Sequence, residues 1–162
     1  MTIYCEQSGH GPDVVLIHGW GSHGGVWAEI ARELAKDFRV TVPDLPGHGR
    51  SHDFAPDAFT PEIMAEQIRQ RLSGPAVWVG WSMGGLVALA AAQQLAPAVS
   101  RLVLVNATPK YVQSPDWPHA MPAEVFAGFA HSVTQDYRTT LLRFLSLQVG
   151  GNEAARTLLK HL

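Results

Sequence analysis

The amino-acid sequence predicts an α/β fold, with a mostly parallel sheet whose strands are joined by crossover helices. Three observations carry that reading. Short β-branched runs alternate with helical patterns from Thr2 to Pro109, most of the apolar runs end in loops rich in Gly or Pro, and the alternation stops after Asn106. With 162 residues, 46% of them hydrophobic and 16% charged, the chain is large enough for one sizeable core and too small for two independent ones.

The predicted strands are Thr2 to Glu6, Val14 to His18, Val40 to Pro43, Val77 to Gly80 and Leu102 to Asn106. Between them, Val26 to Lys36, Pro61 to Leu72 and Met83 to Leu95 have helical spacing. The second of these opens with Thr60 as N-cap and Pro61 at the first helical position. Beyond Asn106, Pro109, Pro115, Pro118 and Pro122 punctuate a strandless stretch that leads into helical sequence from about Ala123 to the end. Residues 1–109 therefore read as the sheet-bearing part and 110–162 as a helical module. In the module, Tyr137, Leu141, Phe144, Leu145 and Gln148 fall on one largely apolar helix face, Gly150 and Gly151 break that helix, and Asn152 can cap a last one.

Composition excludes several function classes. A net charge of -2 argues against nucleic acid as the main partner. No apolar run approaches the roughly 20 residues that span a bilayer, so no membrane segment is expected. The single cysteine, Cys5, allows no internal disulfide, and the N-terminus lacks the charged start and long apolar run of a signal peptide. Cytoplasmic localisation is the expectation, with Cys5 read as a small buried hydrophobe and Asn106-Ala107-Thr108 as a chance match to a glycosylation pattern.

The strongest chemical signal is Gly80-Trp81-Ser82-Met83-Gly84, placed after an apolar strand and before a helix. A serine on such a sharp turn projects its hydroxyl above the sheet, and the flanking glycines let strand and helix approach closely. Ser82 is therefore the predicted nucleophile, with the Met83 amide beside the developing oxyanion. One amide rarely completes an oxyanion hole. His18-Gly19-Trp20-Gly21, directly after the second predicted strand, can aim the Trp20 amide at the same oxygen. His18 reads as a structural histidine and is given no proton transfer. The Trp20 and Trp81 side chains either wall an acyl pocket or pack in the core. Asp44-Leu45-Pro46-Gly47-His48-Gly49-Arg50-Ser51 holds an acid and a histidine, but both lie in one tight loop and neither is directed at Ser82. A structural loop is the preferred reading. No metal or cofactor is called for.

Together, "VVLIHGWG", "VPDLPGHGRS" and "VWVGWSMGGLVAL", in this order and spacing, resemble the α/β-hydrolase family. More narrowly, Gly-Trp-Ser, His-Gly-Trp-Gly, and "DWP", "GF" and "RFLSLQ" in the helical part resemble the BioH family of pimeloyl-acyl carrier protein methyl ester esterases of biotin synthesis, over essentially the whole chain. The resemblance implies methyl ester hydrolysis through an acyl-Ser82 intermediate, an oxyanion hole of Trp20 and Met83, a helical lid after Pro109, and Phe144 in the acyl pocket. It also implies an acyl carrier protein carrying a pimeloyl methyl ester as partner, with Arg143 and Arg156 as docking residues, and a monomer when complete. Residues 134 to 162 hold Arg138, Arg143, Arg156 and Lys160 against Asp136 and Glu153, a local +2 in a chain of net -2. By charge alone that pattern is equally an ordinary solvated surface; the resemblance favours docking.

The sequence departs from the family in one respect. The family triad runs Ser, then Asp or Glu, then His, on loops after later strands. The only histidines after Ser82 are His119, His131 and His161, all in the helical module, and none is assigned. The expectation is a truncated family pattern, with Leu102 to Asn106 an exposed apolar sheet edge and negligible turnover from these 162 residues alone. A generic short-chain carboxylesterase and a non-catalytic acyl or carrier-protein-binding fragment stay open as alternatives.

Overall fold

The computed structural model describes residues 3–53 and 59–148. Five strands form one sheet: β1 (Cys5–Ser8), β2 (Asp13–Ile17), β3 (Arg39–Pro43), β4 (Ala76–Trp81) and β5 (Val99–Val105), in the order β1-β3-β2-β4-β5. Only β1 runs antiparallel, against β3; the other pairings are parallel. Every residue of β2 is buried, as expected for a central strand covered on both faces.

The two faces are filled by alternate residues of the same strands. Val15 and Ile17 of β2, with Ala76 and Trp78 of β4, join a core closed by Met64, Ala65 and Ile68 of α2 (Pro61–Arg69) and Val87, Ala88 and Ala91 of α3 (Met83–Gln94). Val14 and Leu16 of β2, with Val40 and Val42 of β3, join the opposite core, closed by Trp27 and by Ala31 of α1 (Ala28–Leu34). The period-2 alternation of the strands thus builds a three-layer α/β arrangement. Burial also pushes the thiol of Cys5 up to about 11, which keeps it protonated.

Boundaries differ from the expectations where pairing overrides composition. The first strand begins at Cys5 and runs on through Gln7 and Ser8, because register with β3 pairs Cys5 with Pro43 and Ser8 with Val40. Ile3 lies before the strand and is buried in the core. The predicted helix from Val26 starts instead as a 3-10 turn, Gly24–Trp27, with the His23 side chain accepting from the Gly25 amide. The helix α2 opens as predicted, Thr60 Oγ1 accepting from Ile63 N at 3.3 Å with Pro61 in the first turn, but ends at Arg69. The last strand begins at Val99, extended backward by its pairing with β4.

The chain divides into two compact units, Met1–Pro109 and Lys110–Leu162. Within the second, α4 (Ala123–Gln135) and α5 (Tyr137–Gln148) are separated at Asp136, whose Oδ1 accepts from Thr139 N. They pack through Phe129 on Phe144, with ring centroids 5.9 Å apart, and through Thr140 Oγ1, which donates to Ser132 O at 3.0 Å. Gly150, Gly151, Asn152, Arg156, Lys160 and His161 lie outside the described residues. Among the described residues no helix is long and apolar enough to cross a membrane, and no group of three or more His, Cys, Asp or Glu is placed to hold a metal ion.

Candidate active site

The strand β4 ends at Trp81, α3 begins at Met83, and Ser82 makes the whole connection with φ 53° and ψ -120°. Few residues other than glycine adopt this backbone, and the cost is of order 1–3 kcal/mol. The turn is held from both sides: Ser82 N donates to Val105 O at 3.0 Å, and Gly85 N donates to Ser82 O at 2.8 Å. Close approach requires Gly84, since a Cβ there would lie 2.5 Å from Ile17 O and 2.7 Å from His18 O. The first turn of α3 is therefore seated on the C-terminal end of β2.

That seating brings the two sequence motifs together. A Cβ on Gly19 would lie 3.1 Å from Ser82 Cβ and 3.3 Å from Trp81 Cε3, so the loop that carries Trp20 passes directly beside the serine. Trp20 lies in this loop and Met83 is the first residue of α3, which places both predicted oxyanion donors on segments adjoining Ser82. Trp81 is half-buried and packs against the core on the α1 side as well as against Gly19.

His18 is fully buried. Leu45 N donates to its Nε2 at 2.9 Å, so Nδ1 carries the proton and donates to Gly19 O at 2.8 Å. Burial pushes the ring down to about 4, with His48 adding to the effect, and the imidazole is neutral at ordinary pH. With both nitrogens committed to backbone, His18 serves the loop and takes no proton from Ser82.

Asp44 is also fully buried, and its carboxylate is saturated: Oδ1 accepts from Gly24 N at 2.7 Å, and Oδ2 from both Arg50 N and Arg50 Nε at 2.8 Å. Burial pushes its carboxyl up, but the Arg50 side chain and the two amides outweigh it and hold the group below the usual range. Arg50 stacks 3.9 Å above the Tyr4 ring and also bonds Tyr4 Oη and Glu6. His48 lies with Nδ1 2.9 Å from Pro46 O. This constellation braces loops and does not form a proton relay. Sequence reasoning missed that Arg50 and Gly24 meet on Asp44; the only signal was an acid and an arginine framing a glycine-rich loop.

The remaining predicted residues lie in the helical unit. Phe144 packs on Phe129, and Arg143 lines a surface groove with Thr139, Leu142, Ser146 and Leu147. Arg156 falls outside the described residues.

A family model described as alpha/beta hydrolase fold matches residues 12–147. The chain belongs to the alpha/beta hydrolase family. Its serine turn and the facing His18-Gly19 loop are the parts of this alpha/beta hydrolase that adjoin each other in space. The chain is 46% identical over 160 residues to the pimeloyl-[acyl-carrier protein] methyl ester esterase of Xanthomonas axonopodis pv. citri (strain 306), covering 99% of this chain and 62% of that protein. It is 44% identical over 152 residues to the protein of the same name from Nitrosomonas europaea, covering 94% and 60%. Among solved structures, an esterase from Exiguobacterium antarcticum superposes with a TM-score of 0.83 at 26% identity, over 98% of this chain and 61% of that one. The chain thus spans about three-fifths of the length of the relatives it matches.

Proposed function

We propose that this chain belongs to a serine carboxylesterase that hydrolyses the methyl ester of a pimeloyl-acyl carrier protein, in biotin synthesis. The observation that carries the reading is the juxtaposition of the strained Ser82 turn with the Gly19-Trp20 loop, in a chain 44–46% identical to proteins bearing that name. In the proposed reaction Ser82 Oγ attacks the ester carbonyl carbon. The carbonyl oxygen gains the negative charge, and the Trp20 and Met83 amides stabilise it. The methoxy group leaves with a proton as methanol, and water then attacks the acyl-serine to release the carboxylate and regenerate Ser82.

The base that accepts the Ser82 proton is not His18, for the reasons given above. In the family pattern the triad acid and histidine lie on loops after later strands than β5, so the activity proposed is that of a protein carrying the whole pattern. By the family resemblance Trp20, Trp81 and Phe144 are the residues proposed for the acyl chain, and Arg143 and Arg156 those proposed for the acidic carrier.

A fluorophosphonate tests the nucleophile. It should modify Ser82 of a protein carrying the whole family pattern and label these 162 residues poorly; absence of the Ser82 adduct in the longer protein overturns the reading. Equal, rapid labelling of the 162 residues would place a working base within them. Substrate identity is tested by comparing methyl pimeloyl-carrier with simple aryl esters. Preference for the carrier-bound ester that falls on Arg143→Glu supports docking, whereas equal use of both identifies a generic short-chain carboxylesterase.

A further inference from the structure

The loop proposed to carry the Trp20 amide is gripped at both ends by two neighbouring residues of the loop after β3. Before it, Leu45 N donates to His18 Nε2 at 2.9 Å; after it, Gly24 N donates to Asp44 Oδ1 at 2.7 Å. Residues 19–23 lie between these anchors. Because β2 and β3 are parallel neighbours, their C-terminal ends emerge side by side, which puts Asp44 and Leu45 within reach of both. The grip is closely fitted. A Cβ on Gly24 would lie 2.9 Å from Asp44 Oδ1 and 2.8 Å from Val42 Cγ1, and one on Gly49 would lie 2.5 Å from Asp44 Oδ2. The Asp44 carboxylate is thus seated between two residues without side chains, with Arg50 holding its far oxygen through backbone and guanidinium.

We propose that Asp44, oriented by Arg50, is a positioning residue for the oxyanion loop: its bond to Gly24 N, paired with the Leu45–His18 bond, sets where the Trp20 amide points relative to Ser82. A buried carboxylate accepting an amide is stronger than a neutral contact and tolerates little sliding, so it fixes an anchor in place rather than merely attracting it. A brace with no role at the reacting oxygen would need no anchor at each end of this one short loop. The inference rests on the reading of Trp20 and Met83 as oxyanion donors to Ser82.

The test has two readouts in Asp44→Ala and Asp44→Asn: amide hydrogen exchange, and the rate of Ser82 phosphonylation in a protein carrying the whole family pattern. Asp44→Ala should speed exchange at residues 20–24 about tenfold or more while Val87, Ala88 and Ala91 in α3 exchange as before. Phosphonylation at saturating reagent should slow about 100-fold, the size of loss that a displaced donor produces, with little change in the half-saturating concentration. Asp44→Asn keeps an oxygen for Gly24 N and should recover most of both losses. Unchanged loop exchange in Asp44→Ala overturns the proposal, as does a loss in Asp44→Asn as large as in Asp44→Ala. If Asp44→Ala fails to fold, Gly24→Ala strains the same bond from the loop side and should give the same paired effect; an unaltered loop there overturns it equally. A protein carrying the whole family pattern whose Ser82 takes no reagent would sink the esterase reading, and loop exchange would still decide the anchor.

Discussion

Ser82 occupies a backbone conformation that costs its side chain's owner stability, and the cost can be measured apart from chemistry. Both Ser82→Ala and Ser82→Gly remove the hydroxyl, but only glycine adopts φ 53° with ψ -120° without strain. Ser82→Gly should therefore be more stable than Ser82→Ala by about 1 kcal/mol in urea unfolding, against the usual order in which glycine loses to alanine. Equal stabilities would mean that the turn relaxes when the hydroxyl is absent. His18 makes a second prediction at this scale. Its ring is held near 4 by burial in the folded chain and titrates near its ordinary value of 6.5 when unfolded. Above pH 6.5 both states are neutral and the contribution to stability is complete. As pH falls from 6.5 to 4 only the unfolded chain gains the proton, so stability declines, by about 3 kcal/mol in all. The groups facing the ring are His48, Asp44 and His23, and Asp44, held low by Arg50, stays charged through this window. Urea midpoints between pH 7 and 4 should fall more steeply for the wild type than for His18→Gln; parallel slopes would assign the decline to other histidines.

At the scale of elements, the crossover from β4 to α3 was legible because its chemistry is local. A serine between glycines, after an apolar strand and before an alanine-rich helix, specifies a sharp turn from its own neighbours. The consequence is sharp too: the nearest atoms to a Cβ at Gly84 are all backbone, which cannot move aside, so Gly84→Ala should cost more than about 2 kcal/mol. Gly128 in the exposed middle of α4 has nothing within 4 Å, and Gly128→Ala should stabilise by about 0.5–1 kcal/mol. Thermal unfolding of the two variants checks both signs. Elements whose ends depend on partners were read less well. Gln7 and Ser8 have poor strand propensity, yet they belong to β1 because Gln7 pairs with Thr41 and Ser8 with Val40. The start of the first helix was misplaced because Gly24, where a 3-10 turn begins, is held by Asp44 twenty residues away. The same distance hid the anchor of the oxyanion loop. Asp44 and His48 in one loop read as structural from the sequence, and the three donors on the carboxylate agree with that reading.

For the whole molecule, the two outer strands of the sheet carry opposite protection. The edge at β1 is four residues long and polar; Glu6 bonds Arg50, and Gln7 Nε2 bonds Thr41 Oγ1 and Arg71 O. Short length and engaged polar side chains are how natural sheets discourage pairing with another chain. The edge at β5 has neither. It runs seven residues, VSRLVLV, with Arg101 its single charge, and Val103, Leu104 and Val105 are 43%, 42% and 41% exposed. Successive strand residues point to opposite faces, so three exposed in a row leave apolar surface on both sides of the strand. These 162 residues should therefore associate as concentration rises, strand β5 against strand β5, with sedimentation velocity showing species larger than a monomer. Val103→Lys puts a charge at the middle of that edge and should restore the monomer, whereas Gln7→Lys at the other edge should leave association unchanged. A wild-type chain that stays monomeric at high concentration would show that the β5 edge is covered in solution, and association indifferent to Val103→Lys would move the contact elsewhere. Because the Ser82 turn hangs from β5 through the bond to Val105 O, any partner that pairs with this edge also braces the serine. Phosphonylation of Ser82 should then differ between the associated wild type and monomeric Val103→Lys at equal chain concentration, and equal rates would separate the edge from the site.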